Sequence, residues 1–272
     1  MEPRPLEEDA RGIIDSRTGL TRFRLDRYAP SEGAARFVDR YWVASWDLEE
    51  PFVQRVLPHP VVNLVFADGR AAVHGPATEV GRHRLEGRGW ALGVMFRPAG
   101  FRPFLGRPMN EITDAVLEPG ELFEDFGELL AAAPGIDSRG TDTAPLRHAV
   151  DRFLSARAPV RRDPAEDTRG IVERVAADPS VTSVAALAAR EGMSARLLQR
   201  RFSDHVGIGP KAVIRRYRFY EAAERARRGA PPDWARLAAD LGFSDQSHLT
   251  REFTAVIGVP PARYAAEGAP GA

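Results

Sequence analysis

With 272 residues, no cysteine and a formal charge of zero, the chain has length for two hydrophobic cores but no disulfide, thiolate nucleophile or cysteine-based zinc site. No apolar run approaches the ~20 residues that a membrane span needs. The acidic stretch 1–9 lacks the apolar core of a signal peptide, so a cytoplasmic protein with no membrane contact is expected.

The charge is unevenly spread. From residue 160 onward 18 basic side chains stand against 14 acidic ones, and 194–228 holds ten basic residues against Asp204, Glu221 and Glu224. A basic segment on a neutral chain is the electrostatic footprint of a phosphate-binding face, with a plain solvated helix as the bland alternative. Lys211 is the only lysine, so arginine carries the positive charge.

In chain order, 1–20 reads as a flexible lead-in. Between 22 and 97 the pattern favours strands: 22–28 and parts of 37–48 alternate, 53–56 and 61–66 are short β-branched runs, and 90–96 reads as a buried strand. Gly69, Gly75, Gly81, Gly87 and Gly89 punctuate this region at turn-like spacing, which predicts a small β-barrel or sandwich. Beyond 98 the period becomes helical at 99–105, 122–133 and 146–154, completing a β-rich regulatory domain over 21–158. The Pro-, Asp- and Arg-rich stretch 159–169 reads as a linker. A helical domain follows over 170–266, and 267–272 reads as a flexible tail. The fold class expected is α+β: a β-rich domain with helices, then an all-α domain.

That second domain contains one pattern twice. Ala188, Gly192, Leu198, Phe202, Gly207 and Pro210 recur as Ala238, Gly242, Leu249, Phe253, Gly258 and Pro261, offset by 50 residues up to the glycine and by 51 after it. A small residue, then Gly four positions on, then an apolar residue on a new helix is the helix-turn-helix signature. The Ala permits close crossing, and the Gly supplies the left-handed conformation that ends the first helix. Pro210 opens a long basic helix between the two copies.

In such a motif the outward residues near the start of the second helix meet base edges in the major groove of double-stranded DNA. In copy one Leu198 and Phe202 face the core, which leaves Ser194, Ala195, Arg196, Gln199 and Arg200 toward DNA. In copy two Leu249 and Phe253 face the core, which leaves Asp245, Gln246, Ser247, Thr250 and Arg251. His248 reads as a packing or phosphate-contacting residue. Lys211 and Arg215 on the long helix complete the candidate DNA-binding set. Arg215, Arg216 and Arg218 read either as phosphate anchors or as interdomain ion-pair partners.

The run Gly242-Phe243-Ser244-Asp245-Gln246-Ser247-His248-Leu249-Thr250-Arg251-Glu252-Phe253, with Gly258-Val259-Pro260-Pro261-Ala262-Arg263-Tyr264, closely resembles the C-terminal signature of the AraC/XylS family of bacterial transcription regulators. Gly192-Met193-Ser194-Ala195-Arg196-Leu197-Leu198-Gln199-Arg200-Arg201-Phe202 resembles that family's first recognition helix. Ala195 departs from it, since the family often has Pro or another residue there.

The resemblance implies two helix-turn-helix subdomains joined by the long helix, reading adjacent major-groove segments. It also implies a cupin-like N-terminal barrel, with RNA polymerase, a small-molecule effector and a second copy of the chain as possible partners. The segments 57–66 and 90–98 resemble an AraC-type N-terminal domain with no assigned ligand.

No catalytic residue, metal site or cofactor is expected. His59, His74 and His83 sit on separate segments without a His-x-His pair. Trp42, Trp46 and Trp90 read as ordinary core, with a ligand pocket as the sharper alternative. Ser16, Ser31 and Ser45 lack a nucleophile-elbow context. The alternative to a regulator is a DNA-binding module fused to a small-molecule or metal-binding cupin-like enzyme domain.

Overall fold

The computed structural model describes residues 16–132, 142–227 and 232–268. Most of the expected lead-in, the Pro- and Gly-containing stretch 134–141, Arg228 and the end of the tail lie outside those residues. Residues 16–20 of the expected lead-in fall in a helix, α1 (Ser16–Arg22), which also takes Arg22 from the start of the expected strand 22–28.

The N-terminal half is built on one six-stranded antiparallel sheet. Its strands are β1 (Arg24–Tyr28), β2 (Val38–Val56), β3 (Asn63–Ala67), β4 (Arg70–His74), β5 (Gly81–Phe96) and β6 (Val116–Leu117), ordered β1-β2-β5-β3-β4-β6.

Two expected strands, 37–48 and 53–56, are one. Pro51 does not divide them because it falls in a register break between Leu48 and Phe52, where no ladder N–H is required. The glycines read as turns at 81, 87 and 89 lie within or at the start of β5. The hairpin β3–β4 went unanticipated, although Ala67 pairs with Arg70 around Asp68-Gly69. Both loop residues have positive φ (51° and 71°), the type I′ geometry that Asp-Gly favours.

The register shows how the sheet curls. Val56 pairs with Gly81, while Asn63 pairs with Met95. Fourteen residues of β5 separate those partners, about 46 Å if straight. Six residues join Val56 to Asn63, seven steps of chain with a reach of about 25 Å. The β2–β5 ribbon therefore bends back over the sheet as a barrel wall does. His74 and His83 confirm the approach: burial, and then the nearby His83, hold the His74 imidazole below its ordinary value.

One sheet face carries Tyr41, Val43, Leu64, Phe66, Val73, Leu92 and Val94, all buried. It packs against α2 (Arg102–Leu105), a 3-10 turn (Met109–Ile112), α3 (Phe126–Ala132) and α4 (Ala144–Arg157). Phe101, Phe123, Phe126 and Phe153 form an edge-to-face aromatic chain there. The helix expected from 122 begins only at Phe126, because Pro119–Glu121 is a separate 3-10 turn.

On the opposite face Trp42 and Trp46 lie across from Gly93 and Gly89. A Cβ on Gly93 would stand 2.0 Å from the Trp42 ring. Gly93→Ala is therefore expected to expel Trp42, break its indole bond to Asn63 Oδ1 (3.2 Å) and cost about 1–3 kcal/mol in a denaturant titration. An unchanged midpoint would contradict that packing.

Trp90 belongs to the core. Among the described residues no group of three His, Cys, Asp or Glu is placed to hold a metal ion, and no helix is long and apolar enough to cross a membrane.

The helical half comprises α5 (Ala165–Ala177), α6 (Val184–Arg190), α7 (Ala195–His205), α8 (Pro210–Arg227), α9 (Trp234–Asp240), α10 (Gln246–Ile257) and α11 (Pro261–Gly268). Helix α5 starts at Ala165, inside the stretch read as a linker. Pro164 stands just before that start, where proline is tolerated. Asp163 accepts from the Ala165 N–H and Glu166 accepts from the Asp163 N–H, both at 2.8 Å, which secures that first turn.

Candidate DNA-reading surface

The two copies of the motif fold alike down to single bonds. Ser183 caps α6 through Ala186 N–H, and Asp233 caps α9 through Ala235 and Arg236 N–H. Both first helices end on a left-handed glycine, Gly192 at φ 63° and Gly242 at φ 75°, a conformation a Cβ would strain. Met193 N–H returns to Ala188 O and Phe243 N–H to Ala238 O, each at 2.9 Å.

The extra residue of copy two is Ser244, placed before the cap. Ser194 Oγ accepts from Leu197 N–H at 3.2 Å, and Asp245 Oδ1 accepts from His248 N–H at 2.7 Å. Either cap changed to Ala is expected to cost about 1 kcal/mol, readable as a lower thermal midpoint.

Two cores hold the reading helices. Leu198 and Phe202 are completely buried with Leu187, Val213 and Ile214. Leu249 and Phe253 are completely buried with Leu237, Phe219 and Ala222. Helix α8 thus belongs to both: its start packs in the core of α7, and its later part packs against α11 in the core that holds α10. The copies also touch, since Gly242 leaves no space for a Cβ beside Thr182 (2.6 Å).

The side chains expected toward DNA sort clearly by exposure. Ser194, Ala195, Arg196, Gln199 and Arg200 are exposed along α7, and Asp245, Gln246, Ser247 and Arg251 along α10. Thr250 is half-buried. Arg196 and Arg200 make no ion pair with any described residue, so their guanidinium groups face solvent ready to fork onto an acceptor. Asp245 is the cap of its helix, and the His248 N–H it accepts, followed by its Ser244 bond, holds its carboxyl below the usual range. His248 takes a Ser244 bond at Nδ1 and packs edge-on against Phe243.

The long helix divides its arginines. Arg216 is buried and donates to Ala77 O at 2.8 Å, in the N-terminal half. Arg218 is buried and donates to Val175 O and Asp178 O, capping the end of α5. Neither role expected of these two residues is met: both turn inward and donate to backbone carbonyls, not to phosphate or to a carboxylate. Arg215 pairs with Glu252 and ties α8 to α10.

Lys211 is exposed in the first turn of α8, where a cation is electrostatically unfavourable unless an anion shares the site. Arg236 on α9 escaped the sequence reading. It is exposed and makes no ion pair with a described residue, on the helix that crosses the DNA backbone in such motifs.

One titration bears on the first copy. Thr168 Oγ1 and His205 Nδ1 lie 2.7 Å apart, joining α5 to α7. Burial, outweighing the opposing pull of Asp204, holds the His205 imidazole below its ordinary value, so the fold favours the neutral ring. The unfolded chain then binds the proton more readily, so stability is present above about pH 6.5 and is lost as pH falls below it. The thermal midpoint should drop between pH 7.5 and 5.5, and His205→Gln should flatten part of that drop. An equal drop in the variant would remove His205 from the account.

Residues 187–267 match a family model described as a helix-turn-helix domain, and 26–118 match one described as a domain of unknown function (DUF6597). A curated protein of Streptomyces antibioticus, named an AraC-like transcription regulator, is 34% identical over 82 residues, 30% of this chain and 27% of that protein. A Streptomyces lividans protein of the same name is 33% identical over 118 residues, 43% of this chain and 36% of that protein. The chain thus spans about a third of the length of these relatives.

Among solved structures, an apo ToxT variant from Vibrio cholerae strain SCE256 aligns over 84% of this chain and 98% of its own, with 14% identity and a TM-score of 0.42. At that score the likeness is one of outline only. The duplicated motif, its matching turns and caps, and the helix-turn-helix match together give the chain an AraC-type helix-turn-helix domain at its C-terminal end, similar to that of the AraC-like regulators above.

Proposed function

We propose that the protein is a sequence-specific DNA-binding transcription regulator that seats α7 and α10 in neighbouring major grooves. The observation that carries this reading is the pair of equivalent helices, each capped and held by a dry core, each offering uncommitted polar side chains at its start.

Arg196, Gln199 and Arg200 read bases from the first head, and Gln246, Ser247, Thr250 and Arg251 from the second. Lys211 and Arg236 contact phosphate. Ser194 and Asp245 act through their caps, orienting the reading helices, and Arg215 acts through Glu252. On this reading the protein is no enzyme. The N-terminal half regulates, and RNA polymerase, a small effector or a second copy of the chain act through it.

Selection of binding sites from random duplex DNA tests this proposal. The expected product is one asymmetric motif of two blocks. A pool without an enriched motif would leave non-specific binding as the reading. Phosphate contacts are tested separately by salt. Lys211→Ala should weaken binding to all sequences alike and reduce the slope of log affinity against log salt by about 1. A change in base preference would instead make Lys211 a reader.

A further inference from the structure

The N-terminal half touches the same position in both copies of the motif. Gly207 and Gly258 are equivalent: each follows a reading helix, and each has left-handed backbone, at φ 89° and 90°. Thr113, after the 3-10 turn of the N-terminal half, donates from Oγ1 to Gly207 O at 2.7 Å. A Cβ on Gly207 would lie 3.0 Å from Met109 O. Nearby, Arg102 Nε donates to Asp204 on the last turn of α7 (3.1 Å).

At the second copy, Arg55 of β2 fills the space over Gly258, where a Cβ would lie 2.3 Å from its Nη1. Leu57, two residues on, is buried in the core that holds α10. Tyr220 of α8 donates its hydroxyl to Leu57 O and Pro58 O (3.2 and 3.3 Å), and His59 stacks on its ring at 4.6 Å. The grips therefore reach the far ends and the cores of the reading helices, leaving their DNA-facing starts open.

We infer that the N-terminal domain positions the two reading heads independently, through one joint at Thr113–Gly207 and a second at Arg55–Gly258 with His59–Tyr220. This rests on the DNA-reading proposal above, but the joints themselves are testable without DNA. The two joints leave the β domain at different places: the first from the turn before β6, the second from the end of β2 and its connection to β3. A change confined to one place then reaches one head. Thr113, Arg55, His59 and Tyr220 are positioning residues: they face the backs of the heads and touch no base.

The test uses the full chain with Thr113→Val for joint one, and His59→Ala combined with Tyr220→Phe for joint two. Hydrogen exchange followed by mass spectrometry reads each head directly. Thr113→Val should speed exchange in 196–206 and leave 247–257 at the wild-type rate, and the joint-two variant should do the reverse. In site selection, each variant should blur only the block its own head reads and weaken binding to the wild-type site by about five- to tenfold.

Equal change at both heads in either variant would overturn independent positioning, as would wild-type exchange in both. If the wild type enriches no two-block motif, the DNA-reading proposal fails, while the exchange pattern still decides the joints.

Discussion

Phe253→Ala is expected to lower stability by about 3–5 kcal/mol and to abolish binding by the second head. The ring is completely buried, meets Tyr264 edge-on at 5.4 Å and shares its core with Leu249 and Ile257 from its own helix. Deleting it removes the Phe253–Tyr264 contact between α10 and α11 and leaves a cavity that small neighbours such as Ala222, Ala223 and Ala238 cannot fill. A loss of that size is a large share of the 5–15 kcal/mol that holds a typical domain together. Denaturant titration with circular dichroism reads it. A loss under about 1 kcal/mol would mean that the second core is less tightly closed than its burial indicates.

Removing a base reader acts differently, because it leaves the fold alone. Arg196→Ala is expected to weaken binding to the selected site by about 1–3 kcal/mol, roughly 5- to 150-fold, and to relax preference at one base of the first block. Gln246→Ala should do the same within the second block, and the double variant should show nearly the sum, since the two sit on separate helices. Both side chains are exposed, so thermal midpoints should not move. Uniform weakening over all sequences would instead make Arg196 a phosphate contact.

The reading heads were legible in the sequence because their signals are local. The small residue, the left-handed glycine, the cap and the two core positions lie within fifteen residues of one another, and duplication repeats them in register. The strand region was legible in kind but not in length. The long β2 contains Pro51, and β5 contains Gly87 and Gly89, residues that ordinarily end strands. A register break accommodates the proline, and Trp46 packs over Gly89, so long-range pairing overrides the local signal.

The Asp68-Gly69 hairpin was there to be found, since Asp-Gly between two apolar runs is a strong hairpin signal. Burial of Arg216 and Arg218 was beyond reach, because an arginine on a basic helix looks the same whether it faces phosphate or a distant carbonyl. Only the fold brings Ala77 and Val175 to them. The joints at Gly207 and Gly258 were equally hidden, since their partners lie far off in sequence.

On the proposal made above, two equivalent heads read one duplex. Methylation interference on the selected duplex tests this most directly, because it reports which guanine N7 atoms in the major groove must be free for the intact protein to bind. Two clusters of interference are expected about 10 base pairs apart on one face of the helix, with Arg196→Ala thinning only the first cluster and Arg251→Ala only the second. A single cluster, or interference that neither substitution changes, would contradict it.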